Sequence, residues 1–295
     1  MIRNELWFIK VRITGGLGNQ LFKVANAIRL SQIYKSQIQL DLSWYKHGYM
    51  RSNLVNSRIY ELDYFPKIQF PIFHSKFPDF DFKLGQIERR LPAEFQQLLG
   101  IYTENNSGTF RKSPRVIDGS FEKISYLPNL DVLFDYLKFP DSTSAWFDNE
   151  FERIDKQFSV ALHVRRSDYL KLKSIYDVVS PDYYQKAIHL IRNQTGDTKV
   201  HLFSDDTEGA LEWLAPVIKV DRVVEAPPAI RSGEVLRLMS NYPKIVCANS
   251  TFSWWASCMG MINQTSELAI LPTKFSNLGN DDPTNFLKFE RWVTL

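Results

Sequence analysis

From Val160 to Leu271 the sequence alternates two kinds of apolar segment, and that alternation limits the fold more than any other feature. "SVALHV" is an apolar run of strand length. "SPDYYQKAIHLIRNQTG" instead repeats its apolar residues at helical spacing, with Ser180 placed as a cap, Pro181 at the first helical position and Gly196 as the terminator. There follow "KVHLFS" as a strand, "TEGALEWL" as a helix capped by Thr207, "VIKV" as a strand, "GEVLRLMSN" as a helix, "KIVCAN" as a strand, "TFSWWASCMG" as a helix and "ELAIL" as a strand. Apolar strands separated each time by a helix imply a parallel sheet covered on both faces.

The amino-terminal end begins in the same way. Leu6 to Thr14 reads as a strand, Gly15, Gly16 and Gly18 interrupt it, and "LFKVANAIRLSQIY" sets Leu21, Val24, Ala25 and Ile28 on one helical face before "IQLDLS" resumes as a strand. Between residues 44 and 140 aromatics, prolines and charges mix without a sustained period, which predicts irregular segments and short helices, with one short strand in "SPRVIDGSF" ending at Gly119. The chain of 295 residues is therefore expected to be α/β, with two Rossmann-like domains at 1–148 and 149–295. Ligands of such sheets bind outside the carboxyl ends of the strands.

Several classes of function are disfavoured at once. Thirty-six Lys and Arg against 33 Asp and Glu leave a net charge of +3, too small for a broad nucleic-acid surface. "MIRNELWFIKVRITGG" has no apolar core before a small-residue cleavage site, and Cys247 and Cys258 are the only cysteines, so a cytoplasmic setting is expected. The sequons at Asn105, Asn193, Asn249 and Asn263 then carry no glycans. The uncharged stretch from Ile245 to Ser266 is long enough to span a bilayer, but its Asn and Ser residues are costly there and it reads as a strand and a helix.

Four polar constellations stand at expected strand ends. "GGLGNQLF" is a glycine-rich loop opening a helix, a place where backbone N–H groups meet anions, although Leu21 stands where a dinucleotide fingerprint needs its third glycine. Asn19 and Gln20 add side-chain amides able to reach a phosphate or a sugar. In "HVRRSDY" the two-residue strand period puts His163 and Arg165 on one face, making Arg165 the candidate diphosphate clamp, while Arg166 is expected to pair with Asp168 or another acid. "FSDD" ends a strand with Asp205 and Asp206, suited to a guanine edge, to sugar hydroxyls or to helix capping. "ANSTFSWWAS" opens a helix with Ser250, Thr251 and Ser253, a phosphate site in type, with Trp254 and Trp255 assigned to the core. The Asp79–Asp81 pair has metal-nucleotide spacing but lacks a preceding strand, and no zinc-type His or Cys spacing occurs.

"GGLGNQLF", "ALHVRRSDY", "FSDD" and "NSTFSWWAS", in that order, make the chain resemble the inverting α-1,2-fucosyltransferases of glycosyltransferase family 11 from about residue 9 to 275. The resemblance implies a GT-B fold with the active site in the cleft between the two domains, and fucose transfer from GDP-L-fucose to the 2-hydroxyl of a galactose-terminated glycan, without metal or cofactor. It makes Arg165, His163 and Asp168 the catalytic candidates. Gly16, Gly18, Asn19, Gln20, His163, Arg165, Asp205, Asp206, Asn249, Ser250, Thr251, Phe252 and Ser253 become the donor-binding candidates, with the amino-terminal domain on the acceptor side. Asp168, Asp118 and His163 each remain open as general base, and a donor phosphate oxygen could also take the proton. Two departures stand out: Ser167 replaces a common glycine, and "GSF" at Gly119 to Phe121 replaces a Tyr-Trp element. By analogy the enzyme would work in surface-glycan synthesis such as O-antigen, peripheral on the inner face of the cytoplasmic membrane. Another nucleotide sugar or linkage is the main alternative. A silent binding protein fits less well, since the motif arginines and the glycines of the amino-terminal loop are all present.

Overall fold

The computed structural model describes residues 7–47, 58–108, 110, 112–172, 174, 176–276 and 287–295. The chain divides into two compact units, with the division between Lys138 and Phe139. It falls upstream of the expected 148/149 boundary because the helix Ala145–Phe151 packs within the second unit, where Arg222 grips Glu150 and the Ser144 N–H donates to Glu234 at 2.7 Å.

In the first unit the strands are β1 (Phe8–Arg12), β2 (Gln37–Asp41), β3 (Ile101–Tyr102) and β4 (Val116–Ile117), in the order β2-β1-β4-β3 and all parallel. The expected start of β1 at Leu6 lies outside the described residues. Helix α1 (Leu17–Tyr34) joins β1 to β2 and buries Leu21, Val24, Ala25 and Ile28, the face its spacing predicts. It stops at Lys35, which takes a left-handed conformation (φ 54°) and returns its N–H to the Ser31 carbonyl. Helices α2 (Ser43–His47), α3 (Pro78–Arg90), α4 (Ala93–Leu98) and α5 (Leu130–Tyr136) occupy the stretch without periodicity. Asp79 and Asp81 fall in the first turn of α3, the positive end of its dipole.

The second unit holds β5 (Ser159–Val164), β6 (Lys199–Ser204), β7 (Arg222–Val223), β8 (Lys244–Val246), β9 (Leu268–Leu271) and β10 (Val293–Thr294), in the order β10-β9-β8-β5-β6-β7, again parallel throughout. All six residues of β5 are buried, as a strand covered on both faces requires. The helices are α6 (Ala145–Phe151), α7 (Pro181–Thr195), α8 (Thr207–Leu214), α9 (Ser232–Met239) and α10 (Thr251–Ile262). "VIKV" is not a strand; the pairing moves to Arg222–Val223, where the His201 and Leu202 register meets it. Trp254 and Trp255 are fully buried edge to face at 5.0 Å, and the Trp254 indole N–H donates to the Leu287 carbonyl at 2.6 Å. Cys247 and Cys258 are buried free thiols. No helix among the described residues is long and apolar enough to cross a membrane.

Both sheets have a point where the chain reverses the direction in which strands are added, between β1 and β4 in one unit and between β5 and β8 in the other. The loops leaving those strands open a crevice, which is where ligands of doubly wound sheets sit.

Candidate functional site

In the second unit β5 delivers the His163–Asp168 cluster, β6 delivers Asp205 and Asp206, and β8 delivers Asn249 and the start of α10. Because β5 stops at Val164, strand alternation no longer separates the two arginines. Arg165 reaches Asp168 at 2.6 Å and Asp205 at 3.1 Å. Arg166 reaches Asp206 at 3.2 Å, lies 5.0 Å from the Trp213 ring centre, and gives its backbone N–H to Asp205 at 2.9 Å. Arg166 thus pairs with an acid as expected, but of the two partners left open it takes another acid, Asp206, while Asp168 belongs to Arg165. Two arginines face three aspartates, so Arg165 is no free cation but a guanidinium fixed from two sides, with five N–H donors to distribute.

Ser167 needs no left-handed backbone: Lys35, Phe121 and Gln264 are the non-glycine residues with positive φ among those described. Its hydroxyl donates to Asp205, a role glycine lacks. Asp206, not Thr207, caps α8 by accepting the Gly209 N–H at 3.2 Å. Asp205 and Asp206 are therefore both engaged within the cluster.

His163 is buried, its ring centre 5.9 Å from that of Phe252 in the first turn of α10, and its Nδ1 has no partner among the described residues. Burial, reinforced by the Arg165 charge and only partly opposed by Asp205, lowers its pKa to about 4, so the imidazole is neutral at pH 7. Ser250 caps α10 by accepting the Phe252 N–H at 3.3 Å, and no acidic residue stands in that first turn. Ser253 is fully buried and donates to the Ser250 carbonyl, which places its hydroxyl inside the packing rather than toward a ligand. Thr251 and Phe252 are half-buried at the helix start. Asn249 donates to the Asp177 and Phe275 carbonyls at 2.9 and 3.2 Å, while its Oδ1 has no partner among the described residues. It lines a cavity of about 360 Å³ with Asp177, Ser180, Lys186, Lys274 and Phe275.

The glycine loop belongs to the first unit. Gly15 supplies the turn after β1 with φ 81°, and Gly16 is the residue before α1, facing the Arg58 side chain. Gly18 is buried in the first turn of α1. Gln20 is wholly buried; its amide donates to the Gly15 and Ile59 carbonyls and its Oε1 accepts the Glu61 N–H. That residue holds the loop together rather than reaching a ligand. Asn19 donates to Glu122 at 3.4 Å.

Beyond the expected residues, the first unit contains a second charged group. Arg12 at the end of β1 pairs with Glu88 of α3 and with Asp118 at 2.8 Å, Arg89 holds Asp118 at 2.7 Å, and Arg115 reaches Glu88 at 3.1 Å. Burial alone would raise the Asp118 pKa, but the bonds and charges of Arg89 and Arg12 outweigh it and hold the carboxyl below its ordinary range. Lys23 of α1 is buried, donates to the Gly119 carbonyl, and has its pKa lowered chiefly by burial. Glu104 accepts the Ser120 and Phe121 N–H groups at 2.8 and 2.5 Å. The sequence signal for this group was slight: an acid-glycine turn in a stretch without periodicity. No cluster of three or more His, Cys, Asp or Glu placed to hold a metal occurs among the described residues.

Two α/β units, each with a parallel sheet and polar residues gathered at strand carboxyl ends, have the fold of GT-B proteins. The fold matches the fucosyltransferase NodZ from Bradyrhizobium, with a TM-score of 0.51 at 12% identity over 86% of this chain and 93% of that one. Residues 144–293, half of the chain, match the model of glycosyl transferase family 11, and the protein belongs to that family. Across 97% of its length it is 25% identical to an alpha-1,2-colitosyltransferase of Escherichia coli, covering 98% of that protein. It is also 29% identical to the O-antigen biosynthesis glycosyltransferase WbnK of E. coli, over 46% of this chain and 44% of the other.

Proposed function

We propose that this glycosyltransferase is an inverting α-1,2-fucosyltransferase, moving L-fucose from GDP-L-fucose to the 2-hydroxyl of a galactose in a surface-glycan acceptor. The observation that carries the reading is the reversal point of the second sheet. There Arg165, oriented by two carboxylates, stands with the acid-free first turn of α10 and a neutral histidine whose Nδ1 lacks a protein partner. As the bond from the fucose anomeric carbon to the diphosphate breaks, negative charge grows on the leaving oxygen. A pre-oriented guanidinium and helix N–H groups stabilise that charge without having to reorganise. Asp168 and Asp205 act as positioning residues, holding the guanidinium plane, and His163 is suited to a neutral hydrogen bond with the nucleotide.

A second donor is favoured by the name of the full-length relative. Colitose is L-fucose lacking its 3-hydroxyl, so the same diphosphate machinery would serve a colitosyl donor. The test is an assay in excess chelator with GDP-L-fucose and the corresponding colitosyl nucleotide against β-galactosyl acceptors, reading GDP release and product mass. A one-fucose mass gain is expected. Transfer of colitose alone would select the second reading, and a strict need for added divalent metal would overturn the metal-independent mechanism.

A further inference from the structure

A helix lying on a protein ordinarily turns its apolar stripe inward and its polar face to water. Helices α3 and α4 of the first unit do the reverse. Arg12, buried at the end of β1, needs carboxylate partners, and α3 meets that need by turning Glu88 inward, where it holds Arg12 and Arg115. Gly85, one turn earlier, lets the helix approach: a Cβ there would stand 3.1 Å from the Arg12 guanidinium carbon. With that face committed to charge, Phe80, Leu84 and Ile87, four and three residues apart on one face, are left 64%, 36% and 60% exposed. Phe77, just before the helix, is exposed as well.

α4 repeats the inversion. Its buried residue is polar: Gln96 donates to the Glu88 and Arg89 carbonyls at 3.2 Å and accepts the Thr103 hydroxyl at 2.9 Å, which ties α4 to the last turn of α3. Phe95, Leu98 and Leu99 are exposed instead, Leu98 at 82%. Single exposed apolar residues are ordinary on any surface, but a run of them on two consecutive helices whose polar faces are spent inward is not.

We propose that α3 and α4 form a surface that docks on a bilayer carrying anionic headgroups, with α3 in the plane of the membrane and its stripe entering the acyl boundary. The charges beside the stripe choose this occupant. Lys83 and Arg90 are exposed and seven residues apart, so both run along the same side of α3, and exposed Lys76 precedes the helix at the same interval. With Arg89 they outnumber the exposed acids of the segment, Asp79 and Glu94. Long basic side chains at the edge of an apolar stripe reach headgroup phosphates while the apolar residues sit deeper. The 13 residues of α3 span about 20 Å, too short to cross a bilayer and suited to lying on one. A second copy of the chain would have to match two helical ridges and bring the same basic flank beside its own. A fluid acyl layer requires neither.

The test is flotation of the full chain with vesicles of phosphatidylcholine, with and without phosphatidylglycerol, at low and high salt. It needs no turnover, so its outcome is independent of which sugar is transferred. Wild type is expected to float with the phosphatidylglycerol vesicles and to do so less in high salt. Phe80→Ser, Ile87→Ser and Leu98→Ser should each weaken partitioning about tenfold or more, and Lys83→Gln and Arg90→Gln about fivefold each at low salt. Because these side chains are exposed, urea melts of all five variants should match wild type, which separates lost docking from lost folding. Absence of wild-type flotation with anionic vesicles would overturn the proposal, as would flotation that the three apolar variants leave unchanged. Equal flotation on pure phosphatidylcholine would overturn the assignment of anionic headgroups. A vesicle-free dimer that Ile87→Ser dissolves, without flotation, would give the surface to a second copy instead.

Discussion

The two units solve one problem in different ways. Each places arginines and carboxylates at the carboxyl ends of a parallel sheet. In the second unit the partners come from short contiguous motifs, as with Arg165 and Asp168 three residues apart. In the first, Arg12 must find Asp118 across 106 positions of sequence and Glu88 across 76. The difference teaches that a site made of local motifs can be read before folding, whereas a network closed by long loops exists only once the sheet has formed.

The sharpest way to break the contrast is to remove one arginine from each unit. Arg165→Ala is expected to lower transfer about 10³-fold and stability by about 3 kcal/mol, since Asp168 and Asp205 are left as uncompensated charges. Arg165→Lys keeps the charge but loses the fork and should recover little activity. Arg12→Ala should cost comparable stability in urea melts but leave thermal stabilisation by GDP intact. Near-wild-type turnover of either Arg165 variant would remove its assigned role, and loss of the GDP response in Arg12→Ala would merge the two sites.

Acid separates the units next. Burial lowers the pKa of both His163 and His201 to about 4, from an ordinary 6.5. Their contribution to stability is complete above pH 6.5 and is lost as pH falls toward 4, because the unfolded chain binds the protons first. Glu122 has the opposite sign: its folded pKa is raised from 4.5 to about 7, so acidification across that interval favours the folded first unit. Asp118, held low, weakens it only below about pH 4, where the unfolded carboxyl begins to protonate. Hydrogen exchange corrected for intrinsic rates should therefore show β5 and β6 losing protection between pH 7 and 5 while β1 and β4 hold theirs. Parallel loss in both sheets would contradict these assignments.

The smallest expected effect is at Ser167. Glycine there relieves no backbone strain and deletes the hydroxyl bond to Asp205, so Ser167→Gly should destabilise by about 1 kcal/mol. A stabilised variant would restore the idea that this position wants a left-handed residue.

What could be read beforehand follows the same division. The β-α-β order of the second unit, the Pro181 and Gly196 boundaries of α7 and the core role of the tryptophans follow from periodicity and capping, which act over a few residues. The acidic partner of Arg166 could be expected but not chosen between Asp168 and another acid, because the strand ends at Val164 and its alternation does not extend to the arginines. Gln20 looked like a ligand contact because an amide beside glycines has the right chemistry; its burial under residues 59–61 depends on a return of the chain that no local pattern announces. The raised proton affinity of Glu122 is hidden for a related reason, as burial raises it while Lys23 and Glu104, 99 and 18 positions away, oppose and add to the rise.

The two cysteines give the second unit a clock of its own. Cys247 follows β8 and Cys258 lies inside α10; burial pushes the first thiol up to about 11 and the second further. Neither forms the reactive thiolate while the unit is closed, so a thiol reagent waits for each opening event. The rate at which native protein takes up the label thus times the opening of the second unit alone, and the proposed binding of GDP there is expected to slow it.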